Sequence, residues 1–287
     1  RLTAVVNNKM PLHAYRIGGL KLKINLVCIE DRLIGIGFRK MASYIRSFNQ
    51  SGNNYFITST ETLTVKRIVT GAYGAAQEYS DETLRSMAET LSKADIIGFS
   101  SYSSHAEITK RLLKEIKILN RNAYIVWGGI HPIIVPEDAI EHADAICTGE
   151  GEFAFEQFFD AFKQGSDYTK TQNFWFKENG EIIKNGFLPL MKPEEMGELP
   201  LLHYGKDELI YEHGKGFVPM TYKHYLDYNG LGYNTVWSIG CPFKCTYCGN
   251  TAFIENDKKY RSIRNSPVQF IIDELFSELT VISSFWL

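Results

Sequence analysis

From Lys23 onward, short apolar runs alternate with longer amphipathic segments, the pattern that lays parallel strands and their crossover helices into one sheet. Ile24 to Ile29 predicts a first strand. Arg39 to Asn49 predicts a helix with Met41, Ile45 and Phe48 on one side, broken by Ser51-Gly52-Asn53-Asn54. Two runs compete for the second strand, Tyr55 to Thr58 and Thr64 to Val69, and the pattern does not choose between them. Ser80-Asp81-Glu82-Thr83 then opens a helix carrying Leu84, Met87 and Leu91, with Ser80 or Asp81 as its cap. Strands follow at Ile96 to Ser100, Tyr124 to Trp127 and Ala145 to Thr148, separated by a helix ending at Leu119 and a short one near Glu137 to Glu141. A helix from Phe153 to Phe162 closes the series. Five such strands predict an α/β, flavodoxin-like doubly wound parallel sheet over residues 21–165, behind an N-terminal extension at 1–20.

Residues 166–232 change character, being rich in Gly, Pro, Tyr and Lys, and read as a connector. Within it Phe174-Trp175-Phe176 predicts a hairpin turning through Glu178-Asn179-Gly180-Glu181. A second unit spans 233–287. It opens with a strand from Tyr233 to Ile239, continues with a helix from Val268 to Leu279 after Pro267, and ends on another strand at Val281 to Leu287.

Composition narrows the function classes. The chain has 287 residues, 44% hydrophobic and 22% charged, as expected of a folded globular protein. Lys plus Arg is 31 against 33 for Asp plus Glu, and neither sign forms a long run, so charge gives no support to a nucleic-acid or anionic-membrane partner. No run approaches the roughly 18 to 20 apolar residues of a membrane span, and a cytoplasmic location is expected. The chain starts at Arg1 and stops on Val281-Ile282-Ser283-Ser284-Phe285-Trp286-Leu287, which reads as a piece of a longer protein.

The chemistry concentrates in the cysteines. Cys28 and Cys147 sit in apolar runs and read as small buried hydrophobes. Cys241, Cys245 and Cys248 crowd into eight residues with the spacing C-x3-C-x2-C, between a predicted strand and a helix. That placement predicts the carboxyl end of a parallel strand, where open sheets and barrels bind ligands. Three thiolates could hold a four-iron cluster with one iron left free for substrate. A structural zinc site would want a fourth ligand, and neither His203 nor His224 has the spacing to supply it. Unligated cysteines are the remaining alternative.

This loop resembles that of the radical S-adenosylmethionine (radical SAM) enzymes. The resemblance implies that Cys241, Cys245 and Cys248 ligate a 4Fe-4S cluster, that Tyr247 packs near the adenine, and that the open iron chelates S-adenosylmethionine (SAM). It further implies reductive cleavage of SAM to a deoxyadenosyl radical, with electrons from an external donor such as flavodoxin or ferredoxin. The basic segment Arg261-Ser262-Ile263-Arg264 is similar to one often found before the family's first barrel helix. Thirty-nine residues follow Cys248, whereas a complete (β/α) barrel needs roughly 200 or more, so residues 233–287 are expected to be the start of a truncated barrel.

Three further segments stand where strands of the first domain should end: Gly98-Phe99-Ser100-Ser101-Tyr102-Ser103, Gly128-Gly129-Ile130-His131-Pro132 and Gly149-Glu150-Gly151-Glu152. Glycines there admit a large ligand and hydroxyls offer neutral hydrogen bonds. In this order, ahead of the cysteine loop, they resemble the cobalamin-binding domain fused to many radical SAM enzymes. The resemblance implies that Ser100, Ser101 and Ser103 contact the nucleotide tail of cobalamin, that Gly128, Gly129 and Gly149 line its slot, and that Glu150 lies beside it. His131 could touch the corrin rim or be structural, and Glu150 and Glu152 could instead cap the helix that follows. His105 reads as a surface residue at a helix start. One departure concerns the axial histidine of the D-x-H-x-x-G pattern: the aligned run is Glu30-Asp31-Arg32-Leu33-Ile34-Gly35, with Arg32 in the histidine place. Cobalt without a protein ligand, cobalt with water below, and loss of cobalamin all accommodate it.

The expected function is a cobalamin-dependent radical SAM enzyme acting on an unidentified substrate, by methyl transfer to an unactivated carbon. A radical SAM enzyme with a vestigial cobalamin domain, or a non-catalytic cofactor-binding fragment, are the alternatives.

Overall fold

The computed structural model describes residues 22–59, 78–202, 204, 207–229 and 233–284. In chain order the elements of the first half are β1 (Ile24–Glu30), α1 (Ile36–Phe48), β2 (Asn54–Thr58), α2 (Asp81–Leu91), β3 (Ile96–Ser101), α3 (Ala106–Leu119), β4 (Tyr124–Gly128), α4 (Ile130–Ile134), α5 (Pro136–His142), β5 (Ala145–Cys147) and α6 (Glu152–Gln164). The second half supplies β6 (Phe174–Glu178), β7 (Glu181–Lys184), α7 (Pro193–Gly197), β8 (Glu208–Glu212), β9 (Gly216–Pro219), α8 (Tyr222–Asn229), β10 (Ser238–Ile239), α9 (Asn250–Asn256), β11 (Arg264–Asn265) and α10 (Val268–Ser284).

The first five strands form the expected parallel sheet in the order β5-β4-β3-β1-β2. Both faces are covered, which explains why its strands read as unbroken apolar runs. Alternate residues face opposite layers. Ile24, Leu26 and Cys28 of β1 and Tyr124 and Val126 of β4 meet Phe38, Ala42 and Ile45 of α1 and Phe155, Phe158 and Phe162 of α6. Val27, Ile29, Ile125 and Trp127 face the other way, onto Leu84 and Met87 of α2, Leu112 and Ile116 of α3, and Ile140 of α5. Ser80 caps α2, accepting from the Thr83 N–H.

The second strand is the Tyr55 run; Thr64 to Val69 lies outside the described residues. Residues 166–232 are more than a connector, because they add four strands to the same sheet. The predicted hairpin is β6–β7, with β6 antiparallel to β5, while β8 joins parallel to β2 and pairs with β9. The join at β8 is ionic as well as hydrogen-bonded: Arg39 and Glu208, both buried, pair at 2.5 Å, and Arg39 lies over the rings of Phe56 and Tyr204.

Two expectations beyond residue 233 are corrected. Only Ser238–Ile239 is strand there, paired antiparallel with β11, because Trp237 and the cysteine loop turn toward residues 260–266. The segment from Val281 is helical as far as Ser284, α10 running on past the predicted Leu279 without a Gly or Pro to stop it. Among the described residues no helix is long and apolar enough to cross a membrane.

Candidate cofactor sites along the carboxyl edge of the sheet

The parallel strands β1 to β5 end along one edge, and the residues singled out in the sequence gather there. Ser100 is half-buried at the end of β3, with Ser103 exposed just beyond it. Ser101 points to the opposite face, where its Oγ accepts from Trp127 Nε1 at 3.0 Å and lies 3.2 Å from the Thr109 hydroxyl. Gly128 and Gly129 turn the chain out of β4. At Gly129 φ is +89°, and a Cβ would come within 2.8 Å of the Ser101 backbone, so only glycine fits. A Cβ on Gly128 would meet nothing nearer than 3.7 Å. Gly149 is constrained by Asn173, whose side chain would lie 2.8 Å from an added Cβ.

His131 is buried, held by Ser103 Oγ at 3.2 Å and Asp138 Oδ2 at 2.9 Å, and packed on the Trp127 ring. Asp138 remains below the usual carboxylate range: burial pushes it up, but hydrogen bonds from Lys110 and His131 outweigh that. His105 is buried rather than exposed, because its Nε2 reaches Ser59 Oγ at 2.8 Å and Asp31 Oδ1 at 3.1 Å across the ends of β1 and β2. Arg32 is exposed. Burial pushes the thiols of Cys28 and Cys147 up, Cys147 to about 12, so both stay protonated and apolar as expected.

Glu150 is tied to Met191 and to Arg264 of β11. Its Oε1 accepts from Arg264 Nη2 at 2.6 Å and its Oε2 from the Met191 N–H at 2.8 Å, while Arg264 Nη1 donates to the Met191 carbonyl at 2.8 Å. Arg264 is thus a partner that motif reading missed: its sequence neighbourhood carries no signal for a residue 114 positions away.

Cys241, Cys245 and Cys248 are all free and half-exposed on one loop. The loop is pinned at three points. The Cys241 N–H donates to the Tyr260 carbonyl at 3.0 Å, the Cys248 N–H to the Cys245 carbonyl at 3.2 Å, and the Thr251 hydroxyl to that same carbonyl at 2.8 Å. Gly240, at φ +119°, lets residues 260–262 approach closely. Gly249 sits against Ile130 and Ile134 of α4, so the cysteine loop lies on the helix that follows the Gly128-Gly129 turn. Tyr247 is 90% exposed and free to meet a ligand.

Among the described residues no three His, Cys, Asp or Glu side chains are drawn close enough to hold a metal ion, the three cysteines included. In number, type and exposure the thiols nevertheless suit an iron–sulfur cluster. The neutral hydroxyls of Ser100 and Ser103 beside the open Gly128 suit an amide-rimmed macrocycle such as cobalamin.

Residues 62–159 match the family model for the B12 binding domain. The chain is 28% identical over 201 residues to the uncharacterized methyltransferase PH0819 of Pyrococcus horikoshii, which covers 68% of this chain and 39% of that protein. It is 27% identical over 199 residues to cytidylyl-2-hydroxyethylphosphonate methyltransferase of Streptomyces wedmorensis, covering 63% and 36%. The chain therefore spans under half the length of these relatives. Among solved structures, the radical SAM methyltransferase TsrM from Kitasatospora setae superposes with a TM-score of 0.58 at 14% identity, covering 88% of this chain and 45% of that one. The cobalamin-dependent SAM radical enzyme OxsB with aqua-cobalamin bound gives 0.55 at 19% identity, covering 91% and 32%. The match to the B12 binding domain and these superpositions bear out the fold read from the sequence, a B12-binding-type doubly wound sheet, with the cysteine segment following it in the chain.

Proposed function

We propose that the chain is the cofactor-bearing part of a cobalamin-dependent radical SAM enzyme that transfers a methyl group to an unactivated carbon. The observation that supports this best is the seat of the C-x3-C-x2-C loop on α4, which brings the three thiols to the edge where the B12-binding-type sheet opens. Cys241, Cys245 and Cys248 would hold a 4Fe-4S cluster and leave one iron for SAM, with Tyr247 beside the adenine. When bound, the cluster would supply the electron that splits SAM, and cobalamin would carry the methyl group.

The residues of this chain would act by binding and shaping. Ser100 and Ser103 offer hydroxyls to the nucleotide tail. Gly128 leaves the slot open, Gly129 and Gly149 fix its walls, and His131 with Asp138 holds the turn between them. Ser101 and Glu150, engaged with Trp127 and Arg264, support the slot rather than face the ligand. An external electron donor such as flavodoxin or ferredoxin would supply the cluster with its electron. The names of the relatives in Pyrococcus horikoshii and Streptomyces wedmorensis support methyl transfer as the reaction class.

The test is anaerobic reconstitution with iron, sulfide and hydroxocobalamin, followed by elemental analysis. About four irons and about one cobalt per chain are expected. Iron without cobalt would remove cobalamin from the reading, and cobalt without iron would remove the cluster.

A further inference from the structure

Among the described side chains between residues 233 and 277 the most enclosed is a carboxylate. Glu274 lies on the inner face of α10, one turn after Phe270, and is 0% exposed. Three side chains from one short segment converge on its Oε1. The Tyr233 hydroxyl donates at 2.8 Å, the Trp237 indole N–H at 3.3 Å, and the Thr235 hydroxyl also reaches it. Donors at every second position share a side only where the chain is extended, so the carboxylate holds residues 233–237 straight. Its Oε2 is buried without a hydrogen-bond partner, and among the described residues no cation forms an ion pair with it. A buried charge is unfavourable unless its hydrogen bonds are made, so Glu274 depends on this segment as much as the segment depends on it.

The backbone of the same segment is gripped separately. Buried Lys40 of α1 donates to the Val236 carbonyl at 2.6 Å, and the Ser266 N–H donates to the Trp237 carbonyl at 2.7 Å. Three residues beyond Trp237 stands Gly240, at φ +119° with residues 260–262 packed close upon it, and then Cys241. Whatever fixes Trp237 therefore fixes where the cysteine loop begins.

We propose that Glu274 is a positioning residue for the cysteine loop: through Tyr233, Thr235 and Trp237 it sets the geometry in which the three thiolates close on a cluster and leave one iron open. This rests on the reading that the loop binds such a cluster. Glu274→Gln keeps the size and removes the charge. An amide cannot replace the carboxylate, because its NH2 would face either three donors or a buried space with no acceptor.

The reconstituted wild-type chain and Glu274→Gln are compared by iron release to a chelator and by electron paramagnetic resonance of the reduced cluster with and without SAM. Release about tenfold faster is expected, the scale of one weakened charge-assisted hydrogen bond, together with an altered SAM-induced spectral shift. Thr235→Val, which removes one donor and keeps the shape, should move both readouts the same way by less. If Glu274→Gln does not fold by circular dichroism, Thr235→Val and Trp237→Phe decide by the same measurements. Folded variants that melt earlier but match wild type in iron release and in the SAM-induced shift would overturn the role, since a merely structural carboxylate moves only stability. A wild-type chain that takes up no cluster would overturn the loop reading itself, and the role with it.

Discussion

Against the sheet, Phe158 of α6 is enclosed by the rings of Tyr124, Phe155, Phe162, Tyr168, Phe174 and Phe176; in the cysteine-bearing segment, among the described side chains from 233 to 277, the place of greatest enclosure goes to Glu274. The sheet is stabilised by apolar area, summed over many side chains, none of which sets a unique geometry alone. The cysteine segment exposes much of its apolar surface, Phe243, Val268 and Phe276 among it, and is held by a few directional contacts to charged groups. Losing a methylene from the first region costs stability in proportion to its size. Losing one charge from the second should shift geometry while the fold persists.

The largest expected effect tests the apolar region. Phe158→Ala empties a fully buried ring site, stacked on Phe174 at 5.5 Å, and should cost about 3–5 kcal/mol. Thermal unfolding followed by circular dichroism would show it as a lower midpoint of the whole transition. A loss below about 1 kcal/mol would mean that this core tolerates voids and that the contrast with the cysteine segment is false.

Arg264→Ala is the matching experiment on the polar side. It leaves Glu150, whose side chain is 18% exposed, without its cation, and the expected cost is about 2 kcal/mol, reduced from the fully buried case by that exposure. The damage should stay local: faster proteolysis between residues 238 and 270, with the circular dichroism of the sheet retained. A cooperative loss of the whole fold would show instead that the Glu150–Arg264 pair belongs to the same unit as the core.

The same contrast decides what was legible in the sequence. Four of the five parallel strands, a helix cap at Ser80 or Asp81 and the β6–β7 hairpin follow from local periodicity and turn chemistry, so they could be read from runs such as Tyr124 to Trp127, whereas β2 stayed open between two competing runs. The pairing of β8 with β2 could not, because it joins residues as distant in the chain as Asn54 and Glu208, the Arg39–Glu208 pair likewise spans 169 residues, and no short window holds that information. At the sites, the cysteine spacing and the Gly128-Gly129 turn were legible because each is a compact pattern. Glu150 could be placed at the strand end but not aimed, since its direction is set by Arg264 and Met191. Glu274 and Lys40 left no trace, each being one ordinary charge in an amphipathic helix.

Ser80→Ala gives a smaller effect at the margin of the sheet. It removes the hydroxyl that accepts from the Thr83 N–H at 3.2 Å and should cost about 1 kcal/mol. Amide hydrogen exchange should quicken in the first turn of α2 and not in the cysteine segment. Protection lost equally in both would erase the boundary between the two regions.

The smallest effect carries the comparison onto the carboxyl edge of the sheet, where the buried carboxylate of Glu30 lies near Cys28, Arg39 and Asp31. Glu30 ends β1, accepts from the Gly35 N–H at 2.8 Å, and has its pKa raised, by burial first and despite that hydrogen bond and the nearby Arg39. Its unfolded value is about 4.3, so between there and the raised folded value the native chain binds more protons than the unfolded one. Stability contributed by Glu30 is therefore complete below about pH 4 and falls as pH rises through the folded pKa. Glu30→Gln removes that dependence and still accepts from Gly35. At pH 7 it should stabilise the chain by less than about 1 kcal/mol, with the advantage fading as the pH approaches 4. Denaturant unfolding of both chains across that range measures it. An advantage that stayed constant with pH would place its origin in packing, and a loss at pH 7 would mean that Glu30 is held as a charge by contacts the rest of the sheet does not need.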